Sequence, residues 1–270
     1  MAGLSISRAW DETKARVAAD GKLFTVVAAA LIALPALVTG VMNPSSVASE
    51  PTLTTGLVFL VASIIAIIGQ LAIIRLAILP GVSVGEAIGH GARRMPVYFI
   101  AAVLILIGMI AASIPFILIL VASGISLEDR AAMVASPLTL VLGLLYVALI
   151  CFVAIRLLMS SPVASEEDIG PIGILRRSWT LTAGHWWRLF GFIILFLIGA
   201  IILMTAISWA VGLVAVMLLG PIEAMSASAL VVALVEAIVN AAVTVLLAVM
   251  LARIYLQLAG KSEAVEEVFR

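Results

Sequence analysis

Long apolar runs alternate with short polar ones along the whole chain. A membrane-spanning helix needs about 20 consecutive, mostly apolar residues. Six segments reach that length: Leu23–Met42, Thr55–Leu79, Met95–Ala122, Pro137–Ser160, Arg188–Leu219 and Ala229–Leu258. The breaks between them are short and rich in Pro, Gly and Ser, as in MNPSSVASEPT and LLGPIEAMSAS. Nowhere does the ~10-residue alternation of a membrane β-strand emerge. The pattern predicts an all-α fold, a polytopic membrane helical bundle of six spans forming one membrane domain over residues 1–270. Twenty-two residues precede the first span and include Asp11, Glu12 and Asp20, a poor n-region for a signal peptide, so the first run reads as an uncleaved span.

The polar breaks carry a second pattern. LRRSWTLTAGHWWRLF, Leu175 to Phe190, gathers three arginines, three tryptophans and a histidine between two apolar runs. Arg177, Ser178, Trp179 and Thr182 match Arg8, Ala9, Trp10 and Thr13 in order and spacing. Both stretches close on a basic residue followed by Leu-Phe, provided that a gap of three residues is allowed. AIGHGARRMPVYF (Ala87–Phe99) is a fainter copy, with the Trp replaced by Ile88. Each even-numbered span ends near an arginine, Arg75, Arg156 or Arg253, lying 51, 57 and 63 residues after Phe24, Phe99 and Phe190. Three hairpin-like units, about 1–79, 80–160 and 161–260, account for nearly the whole chain, each opening on a cytoplasmic interfacial helix. Trp10, Trp179, Trp186 and Trp187 then lie at the headgroup layer, with Arg177, Arg188 and the three span-end arginines reaching phosphates. Those arginines either snorkel one by one or converge into a basic ring.

Composition agrees with a lipid solvent: 64% hydrophobic residues, 11% charged, and a mean hydropathy of +1.31. The net charge is zero, which leaves no footprint for nucleic acid. The distribution of charge is more telling. Fourteen of the fifteen Lys and Arg residues fall at alternate span ends, and Arg130 alone falls on the other side, near Glu50, Glu128, Asp129 and Glu223. By the positive-inside rule both termini are expected in the cytoplasm.

Candidate chemistry is sparse. One cysteine, Cys151, allows no internal disulfide, and two histidines, His90 and His185, fit no metal motif. No metal and no cofactor are therefore expected. The acidic runs Glu166-Glu167-Asp168 and Glu263–Glu267 read as solvated surface. No G-x-S-x-G, P-loop or G-x-G-x-x-G occurs, which argues against a stand-alone enzyme. Inside the spans, Glu236 and Asn240 share a helix face, and Gln70 is a further intramembrane polar candidate, with Ser208 and Trp209 weaker ones. An ionised Glu at that depth costs roughly 2.5 to 3.5 kcal/mol unless paired or hydrated. Glu236 and Asn240 are either a ligand or proton site, or structural glue beside the small-residue ridge Ala233, Ala237 and Ala241. Pro35 and Pro115 should kink the first and third spans.

The signature LRRSWTLTAGHWWRLFG, following a span that ends VAIRLLMSSPVASEE, resembles the membrane-domain family of bacterial glycerophosphoryl diester phosphodiesterases, over essentially the entire chain. That resemblance implies a six-helix module of the bacterial inner membrane connected with phospholipid metabolism. In some members a soluble catalytic domain follows; this chain closes at Arg270, just past the sixth span, so the resemblance implies the membrane part without the hydrolase. The expected function is a non-catalytic module that binds phospholipid or supports a separate lipid-metabolising enzyme. A small transporter or channel past Glu236 and Asn240 is the alternative, and an intramembrane lipid enzyme a third, disfavoured by the missing acid–base pairs.

Overall fold

The computed structural model describes residues 4–43, 52–124 and 136–260. The positions Glu50, Glu128, Asp129, Arg130, Lys261, Arg270 and the run Glu263–Glu267 lie outside these residues. The described residues form helices joined by short turns, with no strand among them. Its elements are α1 (Ile6–Ala28), a π-helical turn at Ala29–Ala33, α2 (Leu34–Met42), α3 (Leu53–Ile78), α4 (Val84–Ala122) and α5 (Pro137–Arg156), then α6 (Ser160–Glu166), α7 (Pro171–Leu181), α8 (Trp186–Leu219) and α9 (Ala227–Leu258). Among the described residues six helices are long and apolar enough to cross a membrane. They match the six apolar runs, with two ends moved. The first span begins within a helix that starts at Ile6 and breaks only at Asp20, whose φ and ψ of −116° and 19° are non-helical. The third begins at Val84 rather than Met95, because Ser83 and Glu86 form a reciprocal capping box that starts the helix a full three turns earlier.

Local chemistry sets the other ends. Thr52 and Thr55 cap α3 reciprocally, and Ser226 accepts the Ala229 amide at the start of α9. Gly220 stops α8 with φ 91°, a conformation that favours glycine. In the first span the expected disturbance at Pro35 takes the form of the π-helical turn just before it: Pro35 lies at the first turn of α2, where its missing N–H costs little. Pro115 lies inside α4, which stays helical through it.

The core sits at one end of the bundle, the end carrying the described arginines of the α1, α3, α4, α5, α7 and α9 termini. There Leu71–Ile74 of α3 and Val249, Met250, Ile254 and Tyr255 of α9 are fully buried, together with Phe24 and Val27 of α1. Small residues allow the close approach. A Cβ on Gly69 would meet the Leu31 Cβ at 2.7 Å, and one on Gly91 would meet the Ile68 carbonyl oxygen at 2.7 Å. Away from this end α2 and α9 stay close, with Ala233 buried against Gly40, while α4, α5 and α8 lose cover. Burial of the most apolar stretch falls from 28% in α3 and α9 to 6% in α4, 6% in the α5–α6 span and 0% in α8. In lipid such apolar faces need no protein cover, because lipid tails solvate them.

Candidate functional site

Three acidic residues organise the arginine-rich end. The short helix α6, SSPVASE, turns back under the bundle, with Ser160, Ser161 and Ser165 at 7%, 3% and 1% exposure. At its C-terminus Glu166 takes both oxygens to the Arg75 guanidinium, at 3.1 and 2.9 Å. Glu167 Oε1 accepts from Arg177 Nε and from the Tyr255 hydroxyl, each at 3.0 Å. Arg94 wraps the same turn, donating to the carbonyls of Ala164 (2.8 Å) and Glu167 and to Asp168 (2.6 Å). His90 Nε2 lies 2.6 Å from the Ser165 carbonyl oxygen. The expectation of solvated surface is thus corrected for two of the three acids. Glu166 and Glu167 side chains are 9% and 19% exposed and paired, while Asp168 is in the open. The reason is the fold of α6, which carries its last residues inward beneath arginines of α3, α4 and α7.

The three span-end arginines take three different places. Arg75 is held by Glu166. Arg253 donates to the Ala77 carbonyl at 2.8 Å and Arg16 to the Leu76 carbonyl at 2.7 Å, so two guanidinium groups cap the C-terminus of α3. Arg156 has no carboxylate partner among the described residues. Its guanidinium lies over the Phe152 and Trp179 rings at 5.4 and 5.2 Å, with a long 3.5 Å contact to the Trp179 carbonyl, and its Nε is buried without a partner. Such stacking stabilises a cation by about 0.5 to 2 kcal/mol but does not neutralise it.

Trp179 also roofs a groove of about 480 Å³ between α4 and α5. Its walls are apolar: Leu104 and Ile105 on α4, Ile150 and Val153 on α5. Gly108 leaves the wall open, with nothing within 4 Å of the place a Cβ would take. The floor is closed where the Tyr146 hydroxyl donates to the Met109 carbonyl at 3.3 Å and its ring meets Phe116 at 5.2 Å. The roof is α7, pinned by Ser178 and Thr182 hydroxyls donating to the Arg156 carbonyl at 2.9 and 3.1 Å. Arg176 lines the mouth and, like Arg156, has no carboxylate partner among the described residues. From Leu157 to Tyr146 the groove runs about 17 Å at 1.5 Å per residue, roughly half a 30 Å hydrocarbon core.

The remaining candidates scatter. Trp10 is 39% exposed, on α1. Trp186 stacks on Phe190 at 4.7 Å with Trp187 edge-on at 4.6 Å, and Trp187 is 77% exposed. Arg188 donates to the Leu4 carbonyl at 2.9 Å. Within the spans Ser208 of α8 donates to Glu236 of α9. Asn240 is exposed and Gln70 partly buried, and no hydrogen bond among the described residues joins Gln70, Glu236 and Asn240. No group of three or more His, Cys, Asp or Glu side chains among the described residues is placed to hold a metal.

Arg176 and Tyr146 were not singled out by the sequence. The signal for Arg176 was present, an Arg-Arg pair one turn before Trp179, but it reads equally as topology charge. Nothing marked Tyr146, a single tyrosine in an apolar run.

No curated protein and no solved structure matches the chain. The family described as Domain of unknown function (DUF7847) matches residues 4–258, nearly the full length, and the chain belongs to that family.

Proposed function

We propose that this protein is a non-catalytic module of the bacterial inner membrane, with both termini in the cytoplasm, that binds a phospholipid of the cytoplasmic leaflet. One acyl chain lies in the groove between α4 and α5. The phosphate sits under Arg156 and Arg176, at the level of Trp179. The observation that carries this reading is the juxtaposition of a one-leaflet apolar groove with two arginines that meet no carboxylate among the described residues, while neighbouring Arg75, Arg94 and Arg177 each have one. Arg156 is half-buried with its Nε enclosed, and Arg176 is exposed at the mouth, where a lipid phosphate is the available counter-charge. The asymmetry of Lys and Arg supports the orientation. The resemblance of Leu175–Gly191 to a phosphodiesterase membrane domain supports service to phospholipid metabolism, with a separate lipid-metabolising enzyme as the partner to which the lipid is presented. The Ser208 hydroxyl donates to Glu236, which supports reading this acid as a link between α8 and α9 over the transport alternative.

The test is native mass spectrometry with lipid analysis on gently purified protein. A basic residue near anionic lipid contributes about 1 kcal/mol, so the double variant Arg156→Ala/Arg176→Ala should retain phospholipid about thirtyfold less well. Arg75→Ala, which removes a paired arginine away from the groove, should not change the affinity of the protein that folds. Equal retention by wild type and the double variant would refute the reading.

A further inference from the structure

The roof of the α4/α5 groove has a counterpart on α1. Trp10 and Trp179, matched in sequence, are 39% and 40% exposed. The residues before them, Ala9 and Ser178, are both 0% exposed, and the threonines three positions after, Thr13 and Thr182, are also both 0%. Both threonine hydroxyls touch a neighbouring span: Thr182 the Arg156 carbonyl at the end of α5 at 3.1 Å, Thr13 the Met250 sulfur inside α9 at 3.4 Å. The two amphipathic segments therefore sit in the same way, one burying its small residue and threonine and leaving its tryptophan over the space beside the span.

That space exists beneath Trp10 too. A groove of about 590 Å³ runs between α8 and α9, roofed by Ile6, Ser7 and Trp10. Its walls are apolar, including Phe192, Phe196 and Leu203 of α8, and Gly199 leaves them open, with nothing within 4 Å of its missing Cβ. Phe192 to Leu203 covers about 17 Å, the same single-leaflet depth as the first groove. Arg188 lies on this face, one helical turn before Phe192, tied to the roof through the Leu4 carbonyl and without a carboxylate partner among the described residues.

In the remaining combination the space is closed. Ile88 stands where the tryptophan would be, and Gly91, three positions on, brings α4 directly against the α3 backbone at Ile68 and Ala72.

We infer that the α8/α9 groove is a second phospholipid site, its acyl chain on Gly199 and its phosphate at Arg188 under Trp10, so that the protein holds a pair of lipids from one leaflet. The inference rests on the proposed function for the kind of ligand and on its own groove for the place. Each groove is roofed by the amphipathic segment of a different unit, which ties the two occupancies to one packed end.

Filling each groove separately tests it. Gly108→Leu and Gly199→Leu both add a side chain into open space and raise helix propensity, so folding is not at risk. The full-length wild type and each variant in detergent are titrated with dioleoyl phosphatidylglycerol and read by native mass spectrometry. The expected result is two lipids on wild type, one on either variant and none on the double variant. A Gly199→Leu protein that still carries two lipids overturns the inference. So does a wild-type dimer that Gly199→Leu dissociates without loss of lipid, which would give the groove to a second copy of the chain. If Gly108→Leu keeps two lipids and Gly199→Leu keeps one, the second site stands and the α4/α5 assignment falls.

Discussion

At the residue scale, the arginines of this protein divide by whether an acid meets them. Arg75, Arg94 and Arg177 are neutralised by Glu166, Asp168 and Glu167, three consecutive side chains at the end of one short helix. Among the described residues Arg93, Arg156, Arg176, Arg188 and Arg253 meet no carboxylate; Arg188 and Arg253 donate to backbone carbonyls, and Arg156 and Arg176 stand at the groove. If the paired set holds the fold together, breaking one pair should show it. Glu166→Gln leaves the Arg75 cation partly buried without its counter-charge, a loss of about 3 kcal/mol by analogy with other buried pairs. Replacing both partners, Arg75→Met with Glu166→Leu, should recover most of that loss, as read from the midpoint of unfolding in denaturing detergent. A double variant as unstable as the single one would mean that Arg75 does more than answer Glu166. The sequence displayed the arginines plainly but not this division. Glu166 lies 91 positions from Arg75, and EED after a serine-rich segment has the composition of a surface loop. Only the fold of α6 brings Glu166 and Glu167 inside.

At the element scale, the six spans were legible because an uninterrupted apolar run of that length has few fates other than crossing a membrane. Their helical extensions at Ile6 and Val84 were harder, since amphipathic turns read as separate interfacial helices until capping and continuity are seen. Least legible was α6, whose Ser-Ser-Pro start looks like a break. Contact between elements at the arginine-rich end depends on glycine in at least one place. Gly91→Val puts branched carbons against the Ile68 carbonyl, 2.7 Å from where the Cβ alone would lie. It should cost about 1 to 3 kcal/mol of stability through overpacking, measured by the same unfolding midpoint, whereas Gly108→Val, with open space, should be neutral or better. Equal effects at the two glycines would contradict the close α3/α4 contact.

At the scale of the whole molecule, a packed end and a parted end do different things. The packed end holds the buried side chains, the ion pairs and the amphipathic segments. The parted ends of α4, α5 and α8 offer apolar walls to lipid. Two grooves form where these two regimes meet, beneath the amphipathic segments, and Trp10 and Trp179 of the four interfacial tryptophans stand over them. The most direct test of that picture places a photo-crosslinking residue at Ile150, on the groove wall, and separately at Leu144, 63% exposed on the same helix. Each protein is reconstituted in phosphatidylglycerol and phosphatidylethanolamine, washed extensively in detergent, irradiated and weighed. A bound lipid predicts a phospholipid adduct at Ile150 that survives washing, and none at Leu144. Loss of adduct at both positions alike would mean that the groove holds only exchanging bilayer lipid, and the account would fail.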